Sequence, residues 1–359
     1  MVRILHTADV HLDPDAPERR DALEAVLEVA DAEDVDLVTL GGDTFESDRA
    51  AERLRPDLRE LFRDRDYDVL AIPGNHDPEA FEGNVAFGDA FVPATEEPFG
   101  EYAIGDTRVT TLPYTPRATD ELMVGLQGRE PHEGPEVLVL HCSLEAPMAG
   151  TTGEGEDVRY FPVTANELDE LGFEYYLAGH YHDRQRRPLS NGGTFVYPGT
   201  PASTTRAETG PRACVLVDTG ADRPVEFREL ETFHHDELEL RVTPGREEQV
   251  LATIEDQVDT WRGRTVEARI AVDGFTERDE AAFAADLEAA SEGVEVTNRT
   301  RAVERILRHR LFERFKERLA AREGLQATEN EWDDPEAVRE EVRETTLAVF
   351  AELEAEGTL

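Results

Sequence analysis

Short apolar runs alternate, over the first half of the chain, with stretches whose apolar residues recur every three or four positions. Val2–Ala8, Val35–Leu40, Asp68–Ala71, Val137–Leu140 and Phe173–Ala178 are of the first kind and are expected as buried strands. Leu23, Val26, Leu27 and Ala30 share one face of a helix, with Asp15 near its cap and Pro17 at an early position. Leu54, Leu58, Leu61 and Phe62 turn inward from a second helix within Asp48–Arg63, and Ala165–Leu171 reads as a third. Tyr102–Ile104 and Val109–Leu112 form a short antiparallel pair about Gly105-Asp106. Thr194–Tyr197, Ala213–Asp218 and Val225–Leu230 alternate and are expected as strands of an antiparallel sheet. Residues 78–100 show no clear period and are expected as loop with at most one helix. Met148–Asp157, rich in Gly, Thr and Glu, is expected as a surface loop.

Near Glu231–Asp236 the texture changes. Glu237–Val242, Thr265–Val272 and Val294–Asn298 read as strands, and Glu247–Trp261 and Glu277–Ala290 as helices, of a small separate α+β unit. Two helices are expected to close the chain. The first, near Arg301–Arg322, carries Val303, Leu307, Leu311, Phe315 and Leu319; the second follows Asp334-Pro335 and carries Val338, Val342, Val349 and Leu353. The expected domains are therefore 1–230, 231–300 and 301–359.

Charge alters the picture of the surroundings more than that of the fold. The formal net charge is −43, and 36 of the 37 basic residues are arginine, Lys316 being the exception. Acidic residues spread along the whole chain keep a surface hydrated in concentrated salt, which points to a salt-accumulating halophile. At roughly 1 M salt the Debye length is only about 3 Å, so an acidic surface does not exclude a polyanionic partner. Cys142 and Cys214 are too few for a disulfide framework, and no stretch resembles a secretory signal or a membrane span. A cytoplasmic protein is expected.

Each of the five apolar runs ends in side chains able to bind a metal: Asp9 and His11; Asp43; Asn75 beside His76; His141; His180 and His182. In α/β sheets ligands bind beyond the carboxyl ends of strands, where all of these fall. Asn75 and His76 follow the strand stop Pro73-Gly74, which alone is compatible with ordinary turn chemistry. The joint pattern points to two divalent ions. Nitrogen and oxygen ligands without thiolate suit manganese, iron or zinc better than magnesium. A carboxylate is the natural bridge between two cations, and Asp43 is the candidate. His76 is then free to act on the leaving oxygen.

Asp9-Val10-His11, Gly42-Asp43, Gly74-Asn75-His76-Asp77, His141 and Gly179-His180-Tyr181-His182 resemble the signature of calcineurin-like metallophosphoesterases. The longer strings His6-Thr7-Ala8-Asp9-Val10-His11-Leu12 and Tyr197-Pro198-Gly199-Thr200-Pro201 resemble one branch, the SbcD-type DNA-repair nucleases. The resemblance implies an α/β fold, a two-layer β-sandwich flanked by helices, with residues 231–300 as a small α+β capping domain. It implies that Asp9, His11 and His182 hold one metal, Asn75, His141 and His180 the other, and Asp43 both. His76 becomes the acid or transition-state stabiliser, and manganese the usual ion. It further implies DNA as substrate, a homodimer, and an SMC-like coiled-coil ATPase bound through the C-terminal helices. After Gly42-Asp43 that branch carries a loop with His or Asp and then Pro-Ser, where this chain has Thr44-Phe45-Glu46-Ser47-Asp48. The terminal arginines, Arg299 to Arg322, read either as a solvated face paired to Glu304, Glu313 and Glu317 or as a phosphate or partner contact. The rival functions are a phosphodiesterase or phosphatase acting on nucleotides or other small molecules, and a metal-free protein-binding scaffold.

Overall fold

The computed structural model describes residues 1–82, 86–115, 120–145, 161–322 and 335–358. The Met148–Asp157 segment expected as a loop lies outside them. Chain order is β1 (Arg3–Thr7), α1 (Pro17–Glu33), β2 (Leu37–Gly41), α2 (Asp48–Leu61), β3 (Asp68–Ile72), β4 (Phe91–Pro93), β5 (Gly100–Ile104), β6 (Thr107–Leu112) and α3 (Asp120–Gln127). It continues with β7 (Glu136–His141), β8 (Ser143–Leu144), β9 (Pro162–Val163), α4 (Ala165–Leu171), β10 (Tyr175–Gly179), β11 (Gln185–Pro188), β12 (Thr194–Tyr197), β13 (Ala213–Asp218) and β14 (Val225–Glu229). The last third holds β15 (His234–Val242), α5 (Glu247–Trp261), β16 (Val266–Thr276), α6 (Glu280–Ser291), β17 (Glu295–Ala302), α7 (Glu304–Leu307), α8 (Arg310–Ala320) and α9 (Pro335–Ala355).

The chain divides into two compact units: Met1–His235 with Arg264–Val266, and Asp236–Gly263 with Glu267–Leu359. In the first, two six-stranded sheets run β14-β13-β1-β2-β3-β4 and β11-β12-β10-β7-β6-β5. β1, β2, β3 and β4 are mutually parallel, as are β6, β7, β10 and β12. Successive residues of a strand face opposite ways, and the burial follows that alternation. Ile4, Leu37, Leu70 and Ile72 of one sheet pack with Val137, Val139, Tyr175 and Leu177 of the other. Their neighbours Leu5, Val38, Leu40 and Val69 face Leu23, Val26 and Leu27 of α1 and Leu54 and Leu58 of α2. Leu138, Leu140 and Tyr176 similarly face Leu126 of α3 and Leu168 of α4. Burial on both faces explains why these strands read as unbroken apolar runs. Each fully buried Leu or Ile contributes about 1.5–3 kcal/mol. The expected α/β sandwich flanked by helices is the observed one.

Several element boundaries differ from expectation. Residues described within 78–100 contain no helix, and Phe91–Pro93 adds a strand parallel to β3. Thr194–Tyr197 does not join Ala213–Asp218 and Val225–Glu229 in one antiparallel sheet. It lies parallel to β10 in the other layer, because alternation reports a half-buried strand and not which sheet receives it.

In the second unit β15, β16 and β17 form a three-stranded sheet in that order, with β16 and β17 parallel. Val250, Ile254, Val258 and Trp261 of α5 and Phe283 and Leu287 of α6 are buried. The terminal helix expected from Arg301 is not continuous: strand β17 runs to Ala302, α7 ends at Leu307, and His309 is extended and caps α8. The stripe spaced by four is consequently split. Val303 and Phe312 are buried with Phe275, Ile306, Leu347 and Ala351, whereas Leu311 is exposed.

Candidate metal centre

Three adjacent parallel strands of one sheet (β1, β2, β3) and two of the other (β7, β10) end at the same place, and each releases one or two polar side chains there. The backbone beyond β1 and β2 is tied together. Asp9 N–H donates to Gly42 O (3.1 Å), His11 N–H to Asp43 O (2.9 Å) and Leu12 N–H to Thr44 O (2.9 Å). Asp9, His11, Asp43 and His180 all adopt positive φ, at 53°, 49°, 49° and 106°. Such left-handed conformations cost a non-glycine residue of order 1–3 kcal/mol and cluster at functional sites, where they aim side chains that ordinary strand ends would not. Gly74 fits for a different reason: a Cβ there would overlap the backbone nitrogen and carboxylate of Asp43.

The ligand atoms converge in three overlapping groups: Asp9, His11 and His182; Asp9, Asp43 and His141; and His11, Asp43 and His76, each within 4.8 Å. Asn75 Oδ1 lies 2.9 Å from His141 Nε2. The His180 ring is 5.3 Å from that of His141, and its backbone N–H donates to both oxygens of Asp9 at 2.9 Å. All eight residues singled out in the sequence are thus gathered at one centre.

The donor set fits cations. His141 Nδ1 is 2.9 Å from Gly41 O, which leaves Nε2 as the acceptor; it faces Asn75 Oδ1 and, at 3.3 Å, Asp43 Oδ2. His182 Nδ1 is 2.9 Å from Glu208 Oε1, and its Nε2 faces His11 Nε2 at 3.2 Å. Lone pairs directed at one another this closely repel unless a proton or a metal lies between them. The electrostatics say the same. Burial pushes the Asp9 carboxyl up, opposed by His141 and His182. Burial also opposes ionisation of Asp43, but His141, His11 and the His76 backbone N–H outweigh it and hold the carboxyl well below its usual range. His141 is pulled down by burial and pushed up more strongly by Asp43, to about 9. Without added positive charge the cluster keeps a proton on His141; divalent ions would replace it.

Two functional residues escaped the sequence reading. Glu208, 6% exposed, braces His182 and accepts from Thr200, Thr204 and Thr205 hydroxyls and the Thr204 N–H. The hydroxyl-rich stretch around it was its only signal. Asp77, fully buried, accepts from Gly74 N–H (2.7 Å) and Phe45 N–H (3.0 Å), fastening the Asn75-His76 turn to the loop after Asp43. It lies inside the quoted motif, but its part is to hold backbone.

A family model for calcineurin-like phosphoesterases matches residues 2–184. The chain belongs to this family. Among curated relatives it is similar to the DNA double-strand break repair protein Mre11 of Saccharolobus solfataricus, 26% identical over 250 residues, 63% of this chain and 62% of that protein. The protein of the same name from Sulfurisphaera tokodaii is 24% identical over 217 residues, 55% of this chain and 54% of the relative. The match thus spans 62% and 54% of those relatives' length, less than two thirds of either. Among solved structures, a dimetal phosphatase from Danio rerio covers 64% of this chain and 96% of its own, at 14% identity and a TM-score of 0.47. As a calcineurin-like phosphoesterase the chain is a metal-dependent hydrolase, and the strand-end cluster is its candidate metal centre. No helix among the described residues is long and apolar enough to cross a membrane.

Proposed function

We propose that this phosphoesterase is a nuclease that hydrolyses DNA phosphodiesters during double-strand-break repair, with two manganese ions. Support comes from one observation above all: eight nitrogen- and oxygen-bearing residues from five parallel strand ends, without thiolate, meet at one centre. The two curated relatives, both double-strand-break repair proteins, favour DNA. In this reading Asp9, His11 and His182 hold one ion, Asn75, His141 and His180 the other, and Asp43 both. When bound, such a pair supplies Lewis acidity at the phosphoryl group and a nucleophile at neutral pH. His76, whose side chain is 42% exposed beside Asp43 and His11, donates a proton to the leaving oxygen. Residues 231–300 serve as the DNA-facing cap. The terminal helices offer exposed Leu311 and Val349 to a coiled-coil ATPase, and two copies form a dimer.

Manganese-loaded protein in molar salt should degrade linear duplex DNA, and chelation should abolish it. Hydrolysis of cyclic or mononucleotides with none of DNA, measured with any partner ATPase present, would replace this reading with a small-molecule phosphodiesterase.

A further inference from the structure

His11 is held differently from the other imidazoles. His141 sets its Nδ1 against the Gly41 carbonyl and His182 sets its Nδ1 against Glu208, both at 2.9 Å. His11 Nδ1 is buried and makes no hydrogen bond of ordinary geometry. The group facing it is the Glu46 carboxylate, with Oε2 at 3.4 Å. That oxygen is fixed by Arg19, whose Nη1 donates to it and to the His11 carbonyl, both at 2.8 Å. The other oxygen, Oε1, lies 3.9 Å from His76 Nδ1. The two rings that Glu46 touches stand edge to face, 4.8 Å apart at 87°. Glu46 itself joins none of the metal-competent groups among the described residues, because it approaches His11 from the side opposite His182.

We propose that Glu46, steadied by Arg19, is a positioning residue: it accepts from the Nδ1–H of His11 so that Nε2 is presented to the metal centre, and it keeps His76 beside that ring. The inference rests on the metal-centre reading and extends it to a position where this chain departs from the related loop. A partner on the far nitrogen fixes the tautomer and ring angle of a ligand imidazole, and its loss costs about 10- to 100-fold in metal affinity. A leucine at 46 fills the space without an acceptor, while a glutamine keeps one.

The experiment uses the full chain in molar potassium chloride, with Glu46→Leu, Glu46→Gln and Arg19→Ala. Manganese binding is followed by calorimetry and electron paramagnetic resonance, and kcat and KM by hydrolysis of bis(p-nitrophenyl) phosphate. Glu46→Leu should weaken one ion by about 10- to 100-fold and leave the second within about threefold. Its kcat should fall with KM little changed. Glu46→Gln should recover most of the lost affinity, and Arg19→Ala should fall between. If folded Glu46→Leu binds both ions as the wild type does and turns over within about twofold of it, the proposal is wrong. Equal weakening of both ions with a lowered Tm would also overturn it, by making Glu46 a general structural support. Wild-type protein that takes up no manganese would mark failure of the metal-centre reading itself, before any variant is compared.

Discussion

His76 is the residue whose role depends most on what it does not do. It follows Asn75 directly, and its backbone N–H donates to Asp43 Oδ1 at 2.8 Å, so the turn is pinned while the ring stays partly exposed. A proton donor of this kind is worth about 10²- to 10⁴-fold in rate. His76→Ala should therefore keep both metal ions and substrate binding and lose that factor in kcat. Loss of an ion in the variant, read by elemental analysis, would make His76 a ligand. The eight site residues were legible because each lies within five residues of the end of an apolar run. Glu208 was not, since it reaches His182 from 26 residues downstream, through a loop that no periodicity marks.

At the scale of elements, the centre depends on loops that fold tightly back on one another. Gly74 illustrates it: a side chain there would meet the Asp43 backbone nitrogen, which cannot swing away, and the Asp43 carboxylate, whose Oδ1 already accepts from the His76 N–H. Gly74→Ala should destabilise the first unit by about 1–3 kcal/mol in denaturant unfolding. It should also weaken manganese binding, and unchanged affinity would show that the Asp43 loop can yield. The strands feeding these loops were readable from their unbroken apolar character. The first terminal helix was misread for a physical reason: a four-residue apolar spacing says nothing of the break at His309, which sends Phe312 inward and Leu311 to solvent.

At the scale of the whole molecule, one side chain beneath the centre joins the two sheets. His6, on β1, is fully buried, with Nδ1 2.9 Å from Thr39 Oγ1 and Nε2 3.3 Å from Ala178 O of β10. Burial lowers its pKa from 6.5 to about 4, against the raising effect of the Ala178 and Thr39 backbones. The unfolded chain thus takes up the proton first as pH falls. The contribution of neutral His6 is complete above pH 6.5 and is lost progressively down to about 4, by up to ~3 kcal/mol. His6→Gln should show a correspondingly shallower fall in stability than wild type over that range; parallel curves would mean that His6 does not titrate there.

The formal charge of −43 requires such measurements to be made in high salt, where repulsion between acidic groups is screened. Under those conditions a dinuclear centre shows itself as a count of ions. Asp43 Oδ2 lies 3.3 Å from His141 Nε2 and 4.0 Å from His11 Nε2, within reach of a ligand from each of the two proposed ion sites. The direct measurement is manganese titration of wild-type and Asp43→Asn protein by calorimetry with elemental analysis. Two ions per chain in the wild type, both weakened together in the variant, is the predicted result. One ion or none in the wild type, or a variant that loses one ion and keeps the other at full affinity, would contradict the shared dinuclear centre.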